Sequence, residues 1–130
     1  MISRNKEHFI IMTVLYDALV DFNYNKDKDY RKINELLTPD MSDFIKNNVA
    51  TSMAKYGEIV SKYLPNLTDW TWDRIPLLTQ AILLMSYTHY YYLGPVDRKI
   101  IINIAVELAK TYIDEKQSAF VNAILEKVIA

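Results

Sequence analysis

The sequence predicts an all-α fold, and three observations lead to that prediction. Only two glycines, Gly57 and Gly94, occur in 130 residues, whereas sandwiches and barrels need frequent turn glycines and phosphate-binding loops need clustered ones. Hydrophobic residues make up 51% of the chain, which is enough to bury a core. Apolar side chains recur at helical spacing along most of the length. We therefore expect one helical domain that spans residues 1–130.

The N-terminal half is predicted to hold several helices. The first runs over Phe9 to Phe22, with Ser3 as a plausible N-cap. The segment 23–32 alternates charges with Asn and Asp, as a solvated loop does, and a short helix over 33–37 follows it. Ser42 is a second N-cap candidate. The helix that it opens is expected to reach the Leu64-Pro65 pair with a break on the way.

Two aromatic groups in the middle of the chain have a structural and a functional interpretation. The predicted loop 66–73 carries Trp70 and Trp72, which most often pack as a lid over a core edge; an exposed ligand platform is the alternative. The next helix, 74–93, is apolar nearly all round, so we expect it to be the central element. The tyrosines of this helix are consecutive or nearly so and therefore point in different directions, which favours core filling over a base-stacking platform. They are Tyr87, Tyr90, Tyr91 and Tyr92.

Two helices are predicted at the C-terminal end. The first has one polar stripe with an apolar flank on each side, so it should pack against more than one neighbour. The last is expected to begin at Asp114 as N-cap, with Gln117 as its capping-box partner. The polar stripe comprises Lys99, Asn103, Glu107, Lys110 and Asp114.

Charge and composition exclude several classes of protein. The formal net charge is −1 and the pI about 6.1, whereas strongly basic nucleic-acid-binding domains have a pI above about 9. Any RNA contact must therefore come from a local patch. The absence of cysteine excludes disulfides and thiolate chemistry. No signal peptide and no membrane span are evident, since the apolar region 75–93 is interrupted by polar residues. A cytoplasmic protein is the expectation.

The side chains that catalysis needs are missing at the required spacings. Neither His8 nor His89 has a carboxylate at metal-ligand spacing, and the chain contains no nucleophile elbow. We therefore predict no enzymatic activity, no metal and no cofactor. His89 is expected to be a core or boundary residue with a hydrogen-bond partner.

The C-terminal third resembles the NusB family. Residues 102–110 read INIAVELAK and residues 120–125 read FVNAIL, at the spacing of that family's last two helices. Upstream, residues 80–83 resemble the Ala-Ile-Leu motif of its central helix, and Leu15-Tyr16 resemble the Leu-Tyr pair of its first helix. The resemblance implies a bundle of about seven helices in two packed subdomains.

The resemblance also implies a function. NusB proteins pair with the ribosomal protein NusE and bind the boxA element of nascent RNA, which helps RNA polymerase antitermination complexes read through terminators. The implied partners are therefore boxA-like RNA, NusE and that complex. The alternative is a diverged interaction module or homodimer that has lost RNA binding. The RNA-binding residues that the resemblance implies are Arg4, Lys6, Tyr16, Tyr112, Lys116 and Phe120, with core packing an equal alternative for Tyr16 and Phe120.

Four positions depart from the family pattern. Thr79, His89 and Ile104 stand where the family usually carries glutamate, and Leu84 stands where it carries arginine. Removing one member of a partly buried ion network is costly, whereas replacing all of it with apolar groups can be neutral. We interpret these positions as a polar set lost together. The resemblance places some of them on the surface that faces NusE, so their replacement could weaken or abolish NusE binding.

Overall fold

The computed structural model describes residues 3–24, 33–68 and 71–129, and the regular structure of these residues is entirely helical. The all-α prediction is therefore confirmed. The predicted loop 23–32 is described only at residues 23 and 24, where the prediction is wrong because the first helix continues through both. Residues 25–32 and Trp70 lie outside the described residues. The helices are α1 (Arg4–Tyr24), α2 (Ile33–Leu36), α3 (Asp43–Ala54), α4 (Tyr56–Tyr63), α5 (Leu77–Tyr92), α6 (Arg98–Tyr112) and α7 (Glu115–Val128), with short 3₁₀ turns at Leu64–Asn66 and Trp72–Arg74.

Helix α5 is the centre of the bundle, as predicted. Helices α1 and α3 pack against it and against each other, and α6 and α7 pack against it and form an antiparallel pair. All ten residues from Thr79 to Thr88 are buried. The helix begins later than expected because Pro76 holds Ile75 in an extended conformation (φ −71°, ψ 131°), as a proline does to the residue before it.

The predicted helix that Ser42 opens is broken at Lys55 (φ −102°, ψ 16°), which separates α3 from α4. Ser42 caps α3 by accepting a hydrogen bond from the Ile45 N–H at 3.3 Å. The Tyr63 hydroxyl ties α4 to α5 by donating to the Leu83 carbonyl at 2.8 Å. Trp72 is buried and its indole N–H donates to the Tyr56 hydroxyl at 3.0 Å. The lid interpretation is therefore confirmed for Trp72.

The C-terminal pair of helices follows the sequence prediction with one exception. Asp114 caps α7 by accepting from the Gln117 N–H at 2.7 Å, and the predicted polar stripe of α6 is exposed. The capping-box role of Gln117 is wrong. Its side chain is buried and accepts instead from the Thr79 hydroxyl at 2.9 Å, because burial of both groups makes this pairing necessary.

Candidate functional site

A polar and aromatic stripe runs along the outer side of α1. Lys6, Phe9, Thr13 and Tyr16 are spaced three or four residues apart, which places them on one side of a helix. Lys6 is exposed, Phe9 is half-buried, and Tyr16 keeps 39% of its surface accessible. Tyr16 was assigned to core packing and to RNA contact with equal weight, and its exposure favours the second interpretation.

An aromatic contact joins this stripe to the end of α6. The ring centroids of Phe9 and Tyr112 are 4.9 Å apart with a 42° angle between the planes, a separation typical of aromatic pairs in contact. Tyr112 is 49% exposed. The Lys6 ammonium nitrogen lies 5.9 Å from the Phe9 ring centroid, within reach of a cation–π interaction. We call Lys6, Phe9, Tyr16 and Tyr112 the α1–α6 surface.

Phe9 is the member of this surface that sequence reasoning missed. Helical periodicity alone groups Phe9 with Met12 and Leu15 on the apolar face of α1. Both of those residues are buried, whereas Phe9 packs at the edge. The signal that could have identified it is its spacing from Lys6 and Tyr16.

The other two basic residues of the N-terminal segment point away from the α1–α6 surface. The Arg4 guanidinium carbon lies 3.9 Å from the centroid of the Phe44 ring on α3, and one of its nitrogens is 3.6 Å from the Glu7 carboxylate. Glu7 in turn accepts a hydrogen bond from the Ser42 hydroxyl. His8 is 1% exposed. Lys6 is thus the one cation that the first two turns of α1 contribute to the α1–α6 surface.

His8 and His89 form a hydrogen-bonded pair between α1 and α5. His8 Nδ1 lies 2.7 Å from the Arg4 carbonyl oxygen and its Nε2 lies 3.1 Å from His89 Nδ1. Because a carbonyl only accepts, His8 Nδ1 carries the proton, and the neutral ring's Nε2 accepts from the His89 Nδ1–H. Both rings also contact Phe44. The expectation that His89 has a hydrogen-bond partner is confirmed.

Burial makes this pair resist protonation. It lowers the pKa of His8, although the bond to the Arg4 carbonyl opposes the shift. Burial, and then the neighbouring His8 and Arg4, lower the pKa of His89 to about 4. Burial and the neighbouring positive groups both disfavour the charged ring, because an imidazolium in this place loses hydration and is repelled by a second positive group. The pair therefore fits a neutral structural link better than an acid–base centre at neutral pH.

Lys116 and Phe120 lie on α7. Lys116 is exposed in the first turn, and Phe120 is half-buried in a cleft that it shares with residues 66–68. The predicted residues therefore fall into three places: Lys6, Tyr16 and Tyr112 on the α1–α6 surface, Arg4 against Phe44, and the remaining two on α7.

The four positions that depart from the family pattern are accommodated differently. Thr79 is fully buried and bonded to Gln117, and His89 is bonded to His8. Leu84 is fully buried, and Ile104 is half-buried. Two polar departures thus have new polar partners, and the two apolar ones join the hydrophobic core.

The described residues contain no cluster of three or more side chains able to hold a metal ion. Among those same residues no helix has both the length and the apolar character that crossing a membrane requires.

Comparison with known proteins identifies the family. The model of the NusB family matches residues 7–130. The chain belongs to the NusB family. A transcription antitermination protein NusB from Listeria welshimeri is 30% identical over 111 residues, which cover 85% of this chain and 87% of that protein. The NusB protein of Finegoldia magna is 30% identical over 129 residues, 98% of this chain and 93% of that protein.

Solved structures share the fold of this NusB-family chain. T. maritima NusB matches it with a TM-score of 0.77 at 18% identity, covering 98% of this chain and 90% of that one. A chain in the "Crystal Structure of a Plectonemic RNA Supercoil" matches with a TM-score of 0.72 at 21% identity, covering 97% and 94%. At these identities the likeness supports the NusB fold.

Proposed function

We propose that this protein is a transcription antitermination factor of the NusB type that binds boxA-like RNA together with NusE. The observation that carries the proposal is the α1–α6 surface, where an exposed cation lies beside two aromatic rings in contact. Single-stranded RNA is recognised by this combination, since lysines neutralise phosphates and aromatic rings stack on unpaired bases. The curated relatives, which are named transcription antitermination proteins, support the same function.

The small number of cations on this surface supports the part of the proposal that assigns a protein partner. Lys6 is its single cation from the first two helical turns, because Arg4 lies against Phe44 and His8 is buried. Each phosphate neutralised adds to the salt-dependent part of the affinity, so a surface with few cations binds RNA weakly alone. NusE would supply the remaining contacts in a joint complex. A factor that binds nascent RNA in this way would act in the cytoplasm.

Mixing the purified chain with NusE and boxA RNA at low salt tests the proposal directly. We expect a three-component complex by native electrophoresis or analytical ultracentrifugation, and weaker binding of RNA when NusE is omitted. A matched RNA with the boxA bases permuted is the control. If no complex forms with both partners present, the chain is not a NusB-type antitermination factor.

Replacing Lys6 with Gln is expected to lower the affinity for RNA, and to lower it to a similar degree for boxA RNA and for the permuted RNA. One lost phosphate contact should reduce the slope of log affinity against log salt by about 1. The measurement is a fluorescence-anisotropy titration at several salt concentrations, with NusE present. Lys110→Gln on the exposed stripe of α6 is the control and should leave the slope unchanged. Equal salt slopes for K6Q and the unaltered protein would show that the α1–α6 surface does not bind the RNA.

The contact of Arg4 with Phe44 and the burial of His8 favour a second candidate, a diverged interaction module or homodimer without RNA binding. The two candidates predict different results in the same mixture. NusE binding or self-association in sedimentation experiments, combined with no RNA in any complex, would favour the second candidate.

A further inference from the structure

The fold brings the two histidines of the chain together. His8 on α1 and His89 on α5 are 81 positions apart in sequence, and their ring nitrogens Nε2 and Nδ1 lie 3.1 Å from each other. The sequence contains two histidines and no cysteine, so both of its imidazoles meet at this one place. Spacing along the sequence, from which no metal is predicted, does not show this pair.

The separation of the two nitrogens fits two ligands of one metal ion. Imidazole nitrogens bind Zn²⁺ at about 2.0–2.1 Å, and at that bond length two nitrogens 3.1 Å apart subtend an angle of about 100° at the ion. This angle lies between the value of about 90° in square-planar or octahedral sites and that of about 109° in tetrahedral ones. The ion would lie beside the line that joins the nitrogens, so a ring must turn toward it. His89 is only half-buried, which gives its ring room to turn.

The backbone of α1 already holds the His8 ring as metal ligands are held. His8 Nδ1 donates to the Arg4 carbonyl oxygen at 2.7 Å, which directs the lone pair of Nε2 toward His89. Histidine ligands almost always donate their other ring N–H to a carbonyl or carboxylate, and this bond fixes the tautomer and the orientation of the ring. If the proton on His89 Nδ1 moves to its Nε2, two lone pairs become available to one ion.

The surroundings of the pair favour an ion that binds nitrogen. Arg4 is the neighbouring cation, and the Glu7 carboxylate 3.6 Å from its guanidinium offsets its charge. The Phe44 ring contacts His8 and His89, with centroid distances of 5.4 and 4.8 Å, so one side of the pair is apolar. Water would supply the remaining ligands on the side where His89 reaches the surface. Imidazole ligands suit Zn²⁺, Ni²⁺ and Cu²⁺, whereas Mg²⁺ and Ca²⁺ bind oxygen.

We propose that His8 and His89 together bind one divalent transition-metal ion of the class that favours imidazole, in a site completed by water. The ion would join α1 to α5 in place of the hydrogen bond between the two rings. Affinities of such sites rise from Ni²⁺ to Cu²⁺ and fall again at Zn²⁺, so Cu²⁺ should bind most tightly. The site involves neither RNA nor NusE.

Titration of the untagged chain with Zn²⁺ tests the site. We expect the ¹⁵N resonances of His8 Nε2 and His89 Nδ1 to shift, because these are the atoms that would bind the ion. The urea midpoint should rise with Zn²⁺ concentration, since a ligand that binds the folded protein stabilises it. Mg²⁺ at the same concentration should cause neither change, because it prefers oxygen ligands.

Replacing His89 with Gln removes one ligand and keeps a side-chain amide that can donate to His8. Calorimetric titration should show a Zn²⁺ affinity at least about tenfold lower, since loss of a hydrogen bond behind a ligand alone costs about that much. Glu107→Gln is the matched control. It removes an exposed carboxylate of α6 and should bind Zn²⁺ like the unaltered protein.

Three results would overturn the metal site. They are the absence of Zn²⁺-dependent shifts at the two ring nitrogens, an equal effect of Mg²⁺, and an unchanged Zn²⁺ affinity of H89Q. Should H89Q fail to fold, the ring-nitrogen resonances of the unaltered protein decide the question. The mixture with NusE and boxA RNA can be studied with a chelator present, so the proposed function and the metal site succeed or fail separately.

Discussion

Replacing Leu84 with Arg is expected to lower the free energy of unfolding by about 4 kcal/mol or more. Leu84 is fully buried in α5, the helix that the other helices surround. A guanidinium placed there loses its hydration and meets an apolar environment. Because small domains are stable by only about 5–15 kcal/mol, the variant should be largely unfolded or show a greatly reduced denaturant midpoint.

The measurement is urea unfolding followed by circular dichroism, with Leu84→Met as the control. Methionine has a similar volume and should cost less than about 1.5 kcal/mol. The result bears on the family pattern, for which the sequence resemblance implies arginine at this position. If L84R kept the stability of the unaltered protein, the arginine would have a polar partner within the bundle, and the interpretation of the four departures as a set lost together would be wrong.

Lowering the pH from 7 to about 5 is expected to destabilise the protein through the His8–His89 pair. The unfolded histidines take up protons near pH 6.5, whereas burial lowers the pKa of both in the folded protein, that of His89 to about 4. The unfolded state therefore binds more protons between these values, and stability falls as the pH falls. For His89 the full effect near pH 5 would be about 2 kcal/mol; partial exposure of its ring to water reduces this to about 1 kcal/mol.

The pH effect can be assigned by comparison with His89→Gln. This variant removes one titrating group but keeps a side-chain amide that can donate to His8 Nε2. We expect its free energy of unfolding to change less between pH 7 and 5 than that of the unaltered protein, by about 1 kcal/mol. Carboxylates titrate in both proteins, so their contribution cancels in the difference. Identical pH profiles would mean that the pair does not remain neutral in the folded state.

The candidate site was only partly predictable from residue order. Lys6 and Tyr16 came from the resemblance to the family, and both are exposed on one helix. The role of Phe9 depends on Tyr112, which lies more than a hundred positions away and meets it only when α1 and α6 pack. The resemblance implied Arg4 together with Lys6, but helical geometry directs them to different sides. The Arg4 guanidinium contacts the ring of Phe44 on α3 instead.

Local patterns were sufficient for the helices and for most of their ends. Periodic apolar residues, the caps Ser3, Ser42 and Asp114, and the scarcity of glycine act within a few residues of the chain, so they can be interpreted without knowing the fold. The absence of a polar face on α5 also identified the central helix, because an all-apolar helix must be surrounded.

The pairing of buried polar groups was decided by tertiary packing. Thr79 bonds to Gln117 and His8 bonds to His89 across helices that are distant in sequence, and a buried donor needs a partner that only the folded arrangement can provide. The same holds for the surface proposed to bind RNA. The α1–α6 surface is formed by two helices that meet only in the bundle, so its shape and exposed groups depend on how the helices pack.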